Sequence, residues 1–266
     1  MIHKSPGEWG RRQWLGIACV VLGVAATVGA VLSWRHRRAA APPGPRIAIV
    51  LDDWGYSTRN VPALQQLRQA VTLSVLPRLR YSETVARTGR AAGCEIILHL
   101  PMESHRHDLD PRFRMEQRTI LTSMPDAEIA ADVREALASV PGCRGVSNHQ
   151  GSKATEDARV MHAVLRELKT RRLYFLDSLV TPRSVGVAVA RQVGVSCAER
   201  QRFLDNENRE AYIEAQLRRL AADARAHGSS VGIGHDRPIT LAVLARVLPQ
   251  LEREGIHCVR LSELVK

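Results

Sequence analysis

The sequence has few aromatic residues and no acidic excess. Phenylalanine, tyrosine and tryptophan make up 4% of the 266 residues, so the chain lacks the interleaved aromatic and basic side chains on which nucleic-acid bases stack. The formal net charge is +11, and residues 1–45 already hold six basic residues against one acidic residue. We interpret the other basic residues as solvated faces that an anionic membrane or polymer can attract. We expect no nucleic-acid partner.

Cysteine is also scarce. The five cysteines form no C-x-x-C pair and show no zinc-ribbon spacing. Cys19 lies in a hydrophobic segment, whereas Cys94, Cys143, Cys197 and Cys258 are scattered singly. We interpret these four as small buried apolar residues, although export from the cytoplasm would permit a disulfide that the sequence does not assign.

Two glycine-containing motifs are missing as well. No Gly-x-Gly-x-x-Gly segment opens a helix after the first strand, and no Gly-Lys-Ser/Thr loop is present, so we expect no nucleotide cofactor. Ser178 lacks the Gly-x-Ser-x-Gly turn that exposes a nucleophilic serine in many hydrolases.

The N-terminal part of the chain contains a long uncharged run. Residues 1–13 are short and basic, residues 14–34 carry no charge, and residues 35–45 form a basic, proline-rich linker. A run of about 20 apolar residues can span a bilayer as a helix, and Trp14 and Trp34 fit the two interfaces. Cleavage as a signal peptide is the alternative, but Pro42 directly follows the small residues 39–41. We predict a transmembrane anchor in the inner membrane, with the domain of residues 46–266 in the periplasm or otherwise outside the cytoplasm.

From residue 46 onward, short apolar runs alternate with amphipathic stretches. The apolar runs cover residues 47–51, 71–76, 95–100, 173–176, 231–234 and 258–261. The amphipathic stretches cover residues 61–69, 82–92, 126–139, 156–171, 209–227 and 240–254. Asp126 and Thr155 are candidate helix caps, and Gly93, Gly228 and Gly255 are candidate helix ends. This order predicts an α/β fold in which helices connect parallel strands.

Reactive side chains fall at the C-terminal ends of the predicted strands. In a parallel sheet or barrel these ends share one face, where the loops build the active site. Neighbouring side chains in a strand point to opposite faces, so the two adjacent aspartates serve different roles unless the chain bends there. The residues that we expect to converge are Asp52, Asp53, His99, Asn148, His149, Asp177, Ser178 and His235.

Two aspartates and three histidines are a suitable set for metal-dependent hydrolysis. A carboxylate and two imidazoles can bind a divalent ion, for which we favour zinc, and leave one coordination position open. Such an ion acidifies water and polarises a substrate carbonyl. The remaining carboxylate and imidazole can serve as base and acid.

Five segments carry a resemblance to a known family. They are LDDWG at residues 51–55, LHLPME at 98–103, GVSNHQGSKAT at 145–155, YFLDS at 174–178 and IGHDRP at 233–238. Together they resemble the divergent polysaccharide deacetylase family, a distant branch of the NodB-like carbohydrate esterases. The resemblance implies a deformed (β/α) barrel with seven or eight mostly parallel strands. It also implies an exported enzyme that removes N-acetyl groups from a polysaccharide or peptidoglycan with the help of a metal.

The resemblance also implies roles for individual residues. Asp52 matches the general base of the esterases, and Asp53 matches their metal-binding aspartate. His99 matches the first metal-binding histidine. His235 matches the general acid, and we expect Gly232 and Gly234 beside it to leave room for a substrate.

The sequence departs from the esterase pattern at two points. Glu103 stands where the esterases have a second metal-binding histidine, so we assign the third ligand to His149 and keep Glu103 as an alternative. The arginine-bearing motif has no counterpart, and Asn148, Ser152 and Lys153 occupy that part of the sequence order.

Other readings stay open at this stage. Asp177 and Ser178 either orient a ligand histidine, without binding the metal themselves, or cap the segment that follows. The whole domain is either a deacetylase or a non-catalytic glycan-binding or cell-envelope scaffold with a degenerate metal site. A metal hydrolase of phosphate or cyclic amide bonds on the same barrel is a third hypothesis.

Overall fold

The strands and helices alternate along the chain, as the apolar pattern predicts. The computed structural model describes residues 44–67, 70–108 and 118–266. Nine strands are present in this part: β1 Arg46–Trp54, β2 Val71–Val75, β3 Glu95–Met102, β4 Gly145–Gln150, β5 Tyr174–Asp177, β6 Cys197–Glu199, β7 Arg202–Phe203, β8 Ser229–His235 and β9 His257–Val259. The helices are α1 Ser82–Ala91, α2 Asp126–Ala138, α3 Ala158–Thr170, α4 Gly186–Val193, α5 Glu210–His227 and α6 Pro238–Arg253.

The predicted span of residues 14–34 lies outside the described residues. Within the part of the chain that the structure does describe, no helix is both long and apolar enough to cross a bilayer. The compact unit that contains the sheet runs from Gly44 to Lys266.

All paired strands run parallel. The sheet order is β6-β5-β4-β3-β2-β1-β8-β7, and β9 pairs with the first half of β1. The sheet curls into a half-barrel, so the predicted parallel α/β class is confirmed. The strand count exceeds the predicted seven or eight because β6, β7 and β9 contain only two or three residues each.

Strict alternation along the strands separates two apolar layers. In β1, Ile47 and Ile49 join the large cluster that packs against the helices, whereas Ala48 and Val50 join a smaller cluster on the inner face of the curled sheet. The inner face also receives Ile97 from β3. Because side chains alternate every second residue, Asp52 and His99 continue the inner face at the C-terminal ends of their strands.

Several local predictions differ in detail from the structure. The stretch 61–69 forms a 3-10 helix at Val61–Gln66 rather than an α-helix. Asp126 is the first residue of α2, not its cap. Asp157 rather than Thr155 caps α3, because its carboxylate accepts the backbone N–H groups of residues 159 and 160. The helix ends at Gly93, Gly228 and Gly255 are confirmed by left-handed backbone angles.

Unpredicted elements lie between residues 177 and 209. Here α4, β6 and β7 follow one another with short connections. The two short strands lack the length at which an apolar run becomes visible in a sequence. In the described part of the chain, Cys94, Cys143, Cys197 and Cys258 are free thiols, of which Cys94 and Cys197 are buried and the other two partly buried.

Candidate metal and catalytic site

The end of β1 brings two adjacent carboxylates to the same place. Asp53 adopts a left-handed φ of 67°, and the pairing of β1 with β2 shifts register between Leu51 and Trp54. This bulge breaks the alternation that would otherwise send Asp52 and Asp53 to opposite faces. The nearest carboxylate oxygens of Asp52 and Asp53 therefore lie 3.6 and 3.4 Å from the same atom, Nε2 of His99.

Asp53, His99 and His149 form a group that can hold a metal ion. One potential ligand atom from each residue lies within 4.8 Å of the others. Nδ1 of His149 is 3.2 Å from Oδ1 of Asp53 and 3.1 Å from Nε2 of His99. Burial raises the pKa of the Asp53 carboxyl, but His149 and His99 beside it outweigh burial and hold that pKa well below its usual range.

The donor set of this group fits a divalent ion. Oδ1 of Asp53 is buried, yet among the described residues it has no hydrogen-bond partner of good geometry. A buried carboxylate oxygen in this state calls for a cation or a donor. One carboxylate and two imidazoles that point at one another are typical ligands of zinc.

Two serines fix the orientation of His99. The hydroxyl of Ser147 lies 2.8 Å from Nδ1 of His99 and 2.7 Å from the hydroxyl of Ser74. These contacts join β2, β3 and β4 across the inner face, and Ser147 is paired with His99 in the sheet register. With Nδ1 occupied, Nε2 of His99 is left to face the two aspartates.

Asp52 is a buried carboxylate opposite His235. The two residues are paired in the register of β1 and β8. Asp52 is 3% exposed, and burial raises the pKa of its carboxyl despite the lowering effect of His99. Its Oδ1 is buried without a hydrogen-bond partner in the described part of the chain. Asp52 is therefore more basic than an ordinary aspartate.

His235 is held by a residue that the sequence did not reveal. Oδ1 of Asp205 lies 2.7 Å from Nδ1 of His235, while Oδ2 accepts the backbone N–H of His235 and the hydroxyl of Thr240. Burial lowers the pKa of His235, but the Asp205 carboxylate outweighs it and raises that pKa above 6.5. Asp205 follows β7, whose two residues are too few for a recognisable strand.

A stacked arrangement supports the same imidazole from the side. The ring of Phe203 lies nearly parallel to that of His235, with centroids 6.2 Å apart. The Arg200 guanidinium sits 3.8 Å from the centroid of Phe203 and donates hydrogen bonds to the backbone oxygens of Ser178 and Leu179. The end of β5 is thereby connected through Arg200 and Phe203 to His235.

Glu103 is engaged elsewhere. Its Oε1 accepts a 2.7 Å hydrogen bond from Lys153, and its Oε2 accepts two from the backbone and side chain of Thr122. Ser152 accepts the backbone N–H of His105. The structure thus ties Glu103 and Ser152 to the loops beside the site and does not bring them into the Asp53, His99 and His149 group.

Asn148, Asp177 and Ser178 connect the ends of β4 and β5. The Asn148 side chain accepts the Ser178 N–H, and the Ser178 hydroxyl donates to the backbone oxygen of Asn148. Asp177 accepts from the Leu179 N–H and the Ser184 hydroxyl. Of the two readings of Asp177 and Ser178, the contacts favour capping of the following segment over orientation of a ligand histidine.

The glycines before His235 serve packing rather than substrate access, contrary to our expectation. A Cβ atom at Gly232 would meet Leu220 at 2.8 Å and Leu204 at 3.1 Å. One at Gly234 would meet Thr240 at 3.0 Å. Both positions face the outer, helix-covered side of β8, because the inner side is taken by Val231 and Ile233.

The curled parallel sheet and the group at its C-terminal ends define a polysaccharide deacetylase-like fold. The family model described as divergent polysaccharide deacetylase matches residues 49–265, and the chain belongs to that family. The resemblance carried by the five motifs is therefore confirmed.

Relatives and solved structures agree with this assignment. The chain is 33% identical over 220 residues to the uncharacterized protein YibQ of Escherichia coli K12, which covers 83% of this chain and 67% of that protein. An uncharacterized protein of Agrobacterium tumefaciens C58, ATU2773, superposes with a TM-score of 0.80 at 25% identity, covering 85% and 91% of the two chains. The Bc1960 peptidoglycan N-acetylglucosamine deacetylase shares the fold at a TM-score of 0.54 and 12% identity, covering 87% and 95%.

Proposed function

We propose that this protein is a metal-dependent deacetylase that removes N-acetyl groups from a cell-envelope polysaccharide such as peptidoglycan. The observation that carries the proposal is the meeting of Asp53, His99 and His149 beside the register pair of Asp52 and His235. In this proposal the metal ligands, the base and the acid come from residues at one end of one sheet. Bc1960, a peptidoglycan N-acetylglucosamine deacetylase that has the same fold, supports an N-acetylated glycan as substrate.

Asp53, His99 and His149 would hold the metal, and we propose zinc. When bound, the ion supplies a Lewis acid for the amide carbonyl and lowers the pKa of water. The Ser147 hydroxyl keeps the imidazole of His99 in the orientation that this binding needs.

Asp52 and His235 would move the protons of the reaction. Asp52 takes a proton from water as the water oxygen bonds to the acetyl carbon, and its raised pKa suits this task. His235 donates a proton from its ring to the amide nitrogen, and the C–N bond breaks to give acetate and a free amine. Asp205 favours the protonated form of His235 and fixes which ring nitrogen faces the site.

Acetate release tests the proposal directly. The metal-loaded chain should release acetate from N-acetylated oligosaccharides or peptidoglycan fragments, and Asp52→Asn should reduce kcat by about 10²–10⁴-fold while it retains the metal. Absence of acetate release from every such substrate by a chain with stoichiometric metal would refute the enzymatic role.

The non-catalytic scaffold is the second candidate. It is favoured by Glu103, which replaces the second histidine of the esterase pattern and is already bound to Lys153. A scaffold predicts that glycan binding is unchanged in Asp52→Asn and weakened in His149→Ala.

We also propose that the domain lies outside the cytoplasm and is anchored through residues 14–34, because that stretch is uncharged over 21 residues.

A further inference from the structure

Two adjoining clefts lie at the end of the half-barrel opposite the candidate site. Their volumes are about 380 and 390 Å³, and they share Arg144 and Ser262 in their walls. Most of the lining residues lie within three positions of the first residue of β3, β4, β5 or β6, which places both clefts at the N-terminal ends of the strands. We call the two together the N-terminal cleft.

The N-terminal cleft is strongly basic. Its cationic lining residues are Arg90, Arg144, Lys169, Arg172 and Arg260. The carboxylate in its wall belongs to Glu95, which is 7% exposed and whose Oε1 already accepts hydrogen bonds from Tyr174, Thr72 and the backbone of Ser262. That carboxylate is therefore turned into the barrel and leaves the cationic groups to face solvent.

Three of these guanidinium groups form no polar contact with the described residues, although that of Arg90 lies over the backbone of Gly142. Arg90, Arg144 and Arg172 are exposed, and their side chains make no hydrogen bond or ion pair with any residue that the structure describes. Some arginines elsewhere on the surface are paired, as Arg218 is with Glu254, and others such as Arg59 are not, so the cleft is distinguished by three unpaired guanidiniums that line one concave surface. Several unpaired guanidiniums around one concave surface are suited to bidentate binding of phosphate groups.

The start of the described chain lies at the same end of the barrel. Gly44 packs against His257, and Arg46 opens β1 and donates to the backbone oxygen of Glu263, three residues after Arg260 of the cleft. The uncharged run of residues 14–34 ends ten residues before Gly44. A chain of ten residues spans at most about 35 Å, because a fully extended chain advances about 3.3–3.6 Å per residue. A bilayer crossed by that run would therefore lie within reach of the cleft.

We propose that the N-terminal cleft is a docking surface for the phosphate groups of an anionic phospholipid bilayer. The charge of the surface is complementary to such a bilayer, and the chain leaves the domain beside it. The candidate metal site then points away from the membrane, because it occupies the other ends of the same strands.

Vesicle binding of the chain that begins at Gly44 tests this proposal. This unit contains the whole sheet and both apolar clusters, so we expect it to fold without residues 1–43. Co-sedimentation with phosphatidylglycerol-containing vesicles should be roughly tenfold stronger than with phosphatidylcholine vesicles. Arg90→Gln combined with Arg144→Gln should lower that binding by about tenfold, since both side chains line the cleft and their replacement removes no hydrogen bond or ion pair among the described residues.

A matched control removes two positive charges from surface positions that do not line the N-terminal cleft. Arg59 and Arg219 are also exposed, and neither side chain has a partner among the described residues. Arg59→Gln combined with Arg219→Gln should leave vesicle binding within about twofold of the parent. Equal losses in the two double variants would overturn the proposal in favour of diffuse attraction by net charge.

Inorganic phosphate distinguishes a lipid surface from a site for a free anion. At matched ionic strength, phosphate and chloride should compete with vesicles to a similar extent. If phosphate alone abolishes vesicle binding, and protects the parent but not the cleft variant against thermal unfolding, then the cleft binds a free anion and the lipid proposal is wrong.

Discussion

Asp205 contacts His235 through both of its carboxylate oxygens, one at 2.7 Å from the ring Nδ1 and the other at 2.9 Å from the backbone nitrogen. The ring therefore cannot rotate without losing a buried, charge-assisted hydrogen bond. In the proposed mechanism Asp205 is a positioning residue, because it would act on the substrate through His235. A carboxylate that fixes an imidazole also stabilises its protonated form, so orientation and acidity are set by the same contact.

The pH dependence of activity should reveal this contact. His235 must be protonated to act as an acid, and its pKa is raised by Asp205, so activity should persist to higher pH than an ordinary histidine allows. Asp205→Asn should move the alkaline limb of the kcat profile to lower pH and reduce kcat by about 10–100-fold. The measurement is acetate release across pH 5–10. Asp223→Asn removes a carboxylate that pairs with Arg202 on the outside and should leave the limb in place.

Metal content should depend on the three converging residues. Asp53→Ala and His149→Ala each remove one ligand, and we expect at least a tenfold loss of zinc affinity, measured by chelator competition. Ser152→Ala is the matched control, since its hydroxyl contacts the backbone of His105 instead. Full metal retention in both ligand variants would contradict the assignment.

The Ser147 hydroxyl, which contacts Nδ1 of His99, should contribute measurably to zinc affinity. Ser147→Ala removes the hydrogen-bond partner of Nδ1 without changing a candidate ligand. Loss of a hydrogen-bond partner of a metal-binding histidine lowers metal affinity by about 10–100-fold. We expect a loss of about tenfold here, because the lost partner is a neutral hydroxyl. Comparison with Ser74→Ala, which keeps the direct partner of the ring, separates orientation from packing; the larger loss should belong to Ser147→Ala.

Glu103 should matter for stability rather than for metal binding. Glu103→Gln replaces a carboxylate that accepts hydrogen bonds from Lys153 and Thr122. We expect the free energy of unfolding to fall by about 1–3 kcal/mol, as measured by urea denaturation of the metal-free protein. Zinc affinity should stay within about twofold of the parent. A large loss of zinc affinity would instead support Glu103 as the alternative ligand.

The sequence was informative where a local pattern and a global rule act together. Apolar runs followed by acidic or imidazole side chains predict parallel strands, and the geometry of such sheets predicts that Asp53, His99 and His149 lie near one another. The structure brings these three together although His99 and His149 are 50 positions apart. Asp52 and Asp53 can share a face only if the strand bends between them. The left-handed φ of Asp53, which produces this bend, was not predictable from two adjacent aspartates.

Contacts between distant loops could not be predicted in the same way. Asp205 follows a strand of two residues, so no apolar run marks it. Lys153, the cationic partner of Glu103, lies 50 residues away on another loop, and nothing in either segment indicates the pairing. A glycine in a strand indicates that another group approaches the backbone closely, but the sequence does not identify that group. Here Gly232 and Gly234 make room for side chains of the outer, helix-covered layer and not for a substrate.

The left-handed residues at the rim also bear on transplanting this site. Asp53, Gln150 and Leu179 have φ angles of 67°, 55° and 47° where β1, β4 and β5 end. Each costs on the order of 1–3 kcal/mol, which the rest of the fold offsets. A designer who grafts only the aspartates and histidines onto another barrel would obtain the same side chains, but they would not point toward one another. The three turns must be carried across with the side chains, on a scaffold stable enough to tolerate them.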